Sequence, residues 1–223
     1  MSENIVRYKR SEIVRTEGEE LPEYISKEEV DRIITGMEKE LNKKTTEEGK
    51  KRVLRDLLFI QTLWMTGMRA SEVTAMRRMD ILESGIRVFG KRKPRTKKEM
   101  EKGVELHEKR KRIIQIPAML RQNLINYVFE EKLGSEQRLF PFTTTRVYQI
   151  VTKYAKSAGI QRKIFPHMFR HGFAVYYLRH THSLNSLQQL LGHTNLQSTT
   201  IYLKLDSEEI QKYVEGVFGG KIR

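Results

Sequence analysis

Six residues in four separated stretches have side chains suited to one kind of chemistry. "TGMRASEV" (66–73) carries Arg69 just after a glycine break, and "FGKRK" (89–93) carries Lys91 at the end of an apolar run. "FPHMFRHGFAVYYL" (165–178) carries His167 and Arg170, with His171 beside them but outside the six, at i, i+3 and i+4, a spacing that shares one helix face. "LLGHTNLQSTTIYLKLD" (190–206) carries His193 and, nine residues later, Tyr202. Each has a plain reading on its own. Arg69 pairs with Glu72 on a surface, Lys91 is a solvated loop lysine, His193 caps a helix and Tyr202 is half-buried. A metal reading of His167 and His171 lacks the glutamate base of the metalloprotease pattern and a third ligand, so no metal is expected. Together the six ask for one explanation: cations and imidazoles around a phenol, with no carboxylate pair and no thiol. Phosphodiester transfer through a tyrosyl intermediate needs that set. A phenol with a pKa of about 10 is a poor nucleophile at neutral pH. Arginines clamp the charge of the pentacoordinate transition state, histidines donate hydrogen bonds or move the phenolic proton, and a lysine protonates the departing sugar oxygen. With cations in those roles no cofactor is required.

The charge of the chain points to the same substrate. It carries 42 Lys/Arg against 28 Asp/Glu, a net +14, with a pI near 9.9. A positive excess of this size attracts polyanions by long-range field and counterion release. Residues 91–112 hold 11 Lys/Arg against 4 Glu, a net +7, so half the excess lies in 22 of 223 residues. Arg92, Lys93, Arg95, Lys97, Lys98, Lys109, Arg110, Lys111 and Arg112 are therefore candidate contacts to a nucleic acid. The absence of cysteine excludes disulfides and thiolate chemistry and suits a cytoplasmic protein. No apolar run approaches membrane-spanning length, and the N-terminus lacks the apolar centre of a signal peptide, so no membrane partner is expected.

The elements that must position these residues read as mainly α with a small antiparallel β-hairpin. "SKEE" predicts a capping box at Ser26, followed by helical spacing of Val30, Ile33, Ile34, Met37 and Leu41. A second helix is predicted from about Thr46 to Met65, broken by "TGM", with a short helix over "ASEVTAMRR". "GIRVFG" (85–90) and "RIIQIP" (112–117) read as two strands of a hairpin with the basic run between them. Helices are predicted near 118–132, 143–158, 167–180, 184–191, 197–203 and 206–217. His180 and His182 flank a helix end and read as surface residues.

The ordered motifs resemble the tyrosine recombinase family, the lambda-integrase-like (phage integrase) DNA strand-transfer enzymes. "TGMRASEV" is similar to the first-arginine box, "VFGKRK" to the lysine hairpin, "HMFRHGFA" to the His-x-x-Arg box and "LLGHTNLQSTTIYLKL" to the Gly-His to tyrosine box. The resemblance implies a catalytic domain of that family's fold. It implies that Tyr202 attacks the scissile phosphate to form a 3′-phosphotyrosyl bond and release a 5′-hydroxyl. It puts Arg69, Arg170 and His193 on the non-bridging oxygens, His167 on proton transfer and Lys91 on the leaving oxygen. Lys93 rivals Lys91, since a shift of two keeps the same strand face. Four protomers on two duplexes are implied, with a monomer or dimer in the absence of DNA. The expected organisation is an arm or linker (1–24), a catalytic domain (25–205) and a C-terminal helix or tail (206–223). The tail packs either on its own core or on a neighbour. Family members usually carry an N-terminal helical domain, so the chain is expected to be a catalytic fragment or a minimal member. Two alternatives use related features: a type IB topoisomerase, which usually has a lysine where His167 stands, and a non-catalytic DNA-binding protein on the same fold.

Overall fold

The computed structural model describes residues 22–89, 111–181 and 183–192. The first element is α1 (Lys27–Lys43), and its start follows from local chemistry. Ser26 Oγ accepts from the Glu29 amide at 3.2 Å, and Glu29 Oε2 accepts from the Ser26 amide at 2.9 Å, the expected capping box. Val30, Ile33 and Met37 form its buried stripe. Glu29 also holds Arg162, from 133 residues away, through both carboxylate oxygens.

Helix α2 (Glu47–Thr66) is the axle of the molecule. Thr46 caps it through the Gly49 amide. From Asp56 to Trp64 every residue is buried, so this helix is covered all round rather than on one stripe. It packs on α1, on the short helix α3 (Ala70–Ala75), on α4 (Ala118–Glu130) and on α6 (Pro166–Thr181). Several of its buried polar groups find partners, while Asp56 Oδ1 and Arg55 Nε find no hydrogen-bond partner among the described residues. Thr62 and Thr66 donate to the carbonyls four residues back, and Asp56 meets Arg146 at 2.7 Å. Burial pushes the Asp56 carboxyl above its ordinary pKa despite the attraction of Arg146 and Arg55.

The sheet has three antiparallel strands in the order β1 (Ile81–Leu82), β2 (Gly85–Phe89) and β3 (Lys111–Ile114). The expected hairpin pairing is present in the register Ile86↔Ile114 to Phe89↔Lys111. Strand β3 stops at Ile114 rather than reaching 117: its ladder with β2 ends at the pair Ile86↔Ile114, and Pro117 already caps α4. The third strand was not expected: two residues are too short to show alternation. The helix expected over "ASEVTAMRR" ends at Ala75, and a 3₁₀ turn follows at Arg78–Asp80. That turn is held by buried Asp80, which accepts from the Arg77 amide and from the Arg87 guanidinium.

Helices α5 (Thr144–Ser157), α6 and α7 (Leu184–Leu191) complete the described chain. One core cluster spans α1 to the first part of α6, around Phe59, Phe140 and Phe169. A smaller cluster, with Val175, Leu178, Leu187 and Leu191, fastens α7 to the rest of α6. The molecule is thus mainly helical with one small sheet. Among the described residues no helix is long and apolar enough to cross a membrane. The tail at 206–223, the helix expected at 197–203 and most of the arm at 1–24 lie outside the described residues.

Candidate active site

The site begins where α2 ends. Gly67 sits at φ +60°, and a Cβ there would lie 2.3 Å from Phe173 Cδ1, so both conformation and space demand glycine. This turn delivers Arg69 to the N-cap of α3 with its side chain 46% exposed. Its amide donates to Glu72 Oε2 at 2.8 Å, while its guanidinium reaches Glu72 Oε1 only at 3.4 Å. The simple surface pair is therefore present but long. Glu72 is mainly engaged elsewhere: Arg112 donates to both of its oxygens, at 3.1 and 3.0 Å, and the carboxylate is only 7% exposed. Burial works to raise the Glu72 pKa. The hydrogen bonds and charge of Arg112, the Arg69 amide and the Arg170 charge outweigh it and hold the carboxyl below its ordinary value.

Helix α6 supplies the other two described members of the set. Arg170 is buried, with Nη1 donating to the Gly67 carbonyl at 2.7 Å and Nη2 to the Leu191 carbonyl at 2.8 Å. It joins the α2 terminus to the last turn of α7. His167 is exposed in the first turn of α6, its ring parallel to that of Phe165 at 5.8 Å between centroids. Tyr148 packs edge-on against the same Phe165 ring. His171 lies one turn further along, edge to face with His167 at 5.9 Å. Burial first, then the electrostatic influence of the neighbouring His167 and Arg170, pushes the His171 pKa down to about 4, so it is neutral at pH 7.

These residues open onto one cleft of about 580 Å³ between α3, α6 and the start of α5. Arg69, His167, Arg170 and His171 line it, with the hydroxyls of Ser71, Thr74, Thr144 and Tyr148 and an apolar wall of Met68, Val147 and Phe142. No carboxylate is among the described lining residues. An anion entering here meets donors from three helices and the positive charge of Arg69 and Arg170, with the Glu72 carboxylate behind Arg69 rather than among the described lining residues.

The remaining expected site residues fall in two groups. Lys91, Arg92, Lys93, Arg95, Lys97, Lys98, Lys109, Arg110, His193 and Tyr202 lie outside the described residues. Two candidate DNA contacts lie within them. Lys111 is exposed and opens β3. Arg112 is turned inward at 17% exposure, with its guanidinium on Glu72 and on the Leu190 carbonyl. His180 is exposed, as expected, against the Tyr176 carbonyl, while His182 lies outside the described residues. Sequence reasoning passed over Phe165 and Tyr148, whose aromatic contacts set the His167 ring. A hydrophobic residue two places before a histidine carries no signal of such stacking.

The phage integrase family model matches residues 23–209 of this chain. A tyrosine recombinase of Pseudothermotoga lettingae is 34% identical over 162 residues, covering 70% of this chain and 51% of its own length. Tyrosine recombinase XerA of Thermococcus onnurineus is 30% identical over 198 residues, covering 79% of this chain and 63% of its own length. The chain spans about half to two-thirds of the length of these curated relatives. Among solved structures, XerH recombinase bound to its difH substrate aligns with a TM-score of 0.64 at 23% identity, covering 91% of this chain and 56% of that one. The crystal structure of a XerA recombinase aligns with a TM-score of 0.62 at 22% identity, covering 92% and 66%. These structural likenesses carry the fold, and the match of the family model over most of the chain carries the kinship. The chain belongs to the phage integrase family of tyrosine recombinases.

Proposed function

We propose that this chain is the catalytic domain of a site-specific DNA recombinase that breaks and rejoins strands through a 3′-phosphotyrosyl intermediate. Arg69 and Arg170 hold the non-bridging oxygens of the scissile phosphate, joined by His193. The Tyr202 hydroxyl attacks phosphorus as His167 takes its proton. The bond from phosphorus to the 5′-oxygen breaks, and Lys91 protonates that oxygen. The phosphodiester energy is kept in the tyrosyl ester, so a 5′-hydroxyl from a partner strand reverses the step and seals a new junction. Double-stranded DNA is the substrate, the basic run 91–112 its main electrostatic contact, and four protomers on two duplexes the working assembly.

The observation that carries this reading is the shared cleft. Arg69, His167 and Arg170, separated by up to 101 positions, line one concavity without a carboxylate among its described residues. An anionic, pentacoordinate phosphorus is stabilised by donors arranged before the reaction begins. The test is covalent capture on a nicked suicide duplex carrying random flanks. The wild-type chain should trap DNA, and Tyr202→Phe should bind equally while trapping none. Capture by the phenylalanine variant would remove Tyr202 from its role. Relaxation of supercoils without exchanged products would point to topoisomerase action instead.

A further inference from the structure

Arg112 completes a closed circuit of polar contacts around the site. Starting from the α2–α3 junction, the Gly67 carbonyl accepts from Arg170, and Arg170 also donates to the Leu191 carbonyl. The neighbouring Leu190 carbonyl accepts from Arg112 Nε at 3.3 Å, and Arg112 grips Glu72 with both terminal nitrogens. Glu72 accepts the Arg69 amide, returning to the same junction. Two arginines thus satisfy two carbonyls at the end of α7, groups that have no partner within the helix. A cation there also suits the negative end of the helix. Gly192 fits over this arrangement: it is left-handed at φ +63°, and a Cβ on it would lie 2.9 Å from Arg112 Cδ, Cζ and Nε. The next residue in the chain is His193.

Resting on the recombinase reading above, we infer that Arg112 is a positioning residue for strand cleavage and not a phosphate contact. It fixes the end of α7, as far as Gly192, against α3, and so holds the Leu191 carbonyl that anchors Arg170 in register with Arg69. Three features of arginine are used together: a bidentate fork for Glu72, a third N–H for Leu190 and a flat face beneath Gly192. Lysine has the charge but none of this geometry. A displacement near 1 Å costs on the order of 10²-fold in rate.

The test compares Arg112→Lys, Arg112→Met and Glu72→Gln with the wild-type chain. Capture rate is read on the nicked duplex, affinity and its salt slope on random duplex, and amide exchange on the DNA-free protein. All three variants should bind with the wild-type salt slope and capture roughly 10²-fold more slowly. The Gly192 amide should exchange faster in each, with α1 unchanged. The double variant Arg112→Met/Glu72→Gln should be no slower than the slower single, since both act through one contact. Wild-type capture by Arg112→Lys would overturn the inference, because charge alone would then suffice. So would a salt slope reduced by about 0.9 in Arg112→Met, the mark of one phosphate no longer neutralised. Should Arg112→Met fail to fold, Glu72→Gln decides, and wild-type capture and exchange in that variant would refute the tie. Should the wild-type chain capture nothing, the recombinase reading fails by itself. Faster Gly192 exchange in the variants would then still support the tie, and unchanged exchange would end it.

Discussion

His171 stands beside His167 and Arg170 in the cleft and is kept neutral by burial first, then by the electrostatic influence of those two neighbours. Its folded-state pKa of about 4 lies below the ordinary 6.5, so folding excludes a proton that the unfolded chain binds. The stability that depends on the neutral ring is complete above pH 6.5 and is lost as the pH falls through 4. Urea unfolding at stepped pH should show the wild-type midpoint falling across that window. His171→Gln should flatten the fall while leaving the carboxylate-driven loss below it, and an unchanged profile would place the acid sensitivity elsewhere. At this scale the sequence was legible where chemistry repeats at short spacing. Arg69, His167 and Arg170 stand out by their motifs, and they do share a cleft. The Arg112–Glu72 pair was not legible, because 40 residues separate its members and nothing local marks an arginine in a basic run as inward-facing. Charge density suggests a DNA contact, whereas the side chain is 17% exposed.

Helix α2 and its glycine terminus decide where the cationic groups stand. Gly67→Ala would force an L side chain into a left-handed conformation, at about 1–2 kcal/mol. It would also drive the methyl group into Phe173, 2.3 Å away, at about 1–3 kcal/mol for the crowding. A loss of about 2 kcal/mol or more in urea unfolding is expected, with slower capture because the Gly67 carbonyl holds Arg170. A loss below about 0.5 kcal/mol would mean the turn relaxes without cost. Most elements were readable from the sequence for a plain physical reason. Caps and apolar periods are local signals, and the Ser26 box, the α2 run and the β2–β3 pairing all carry them. The two-residue β1 and the 3₁₀ turn are too short to show a period. They exist because Asp80 gathers the Arg77 amide and Arg87 from further along the chain.

For the molecule as a whole, charge and topology act together. Half of the net +14 lies in residues 91–112, which join β2 to β3 and open β3, and the two strands are pinned to the core by Ile86, Val88 and Ile114. Neutralising Lys97, Lys98, Lys109 and Lys111 should weaken binding to any duplex. The salt dependence should become shallower by about 0.9 log units for each phosphate that these lysines neutralise. A slope equal to wild type would show that they do not reach the backbone. Fold class was legible at this scale from helix count and one hairpin. What pattern reading could not supply was the closure of distant segments, since it rests on contacts between residues far apart in the chain, such as Arg170 on Gly67 across 103 positions. That closure sets an order of events during synthesis. Gly67 and Arg69 leave the ribosome early, but the Leu191 carbonyl that anchors Arg170 comes more than a hundred residues later, and Tyr202 later still. Contacts this remote in sequence form only after the intervening chain is available to close. On the recombinase reading proposed above, a growing chain would carry its basic segment, and with it the means to associate with DNA, well before it owns an assembled anion clamp. On that reading binding competence precedes cutting competence, and a prematurely ended chain would occupy DNA without nicking it.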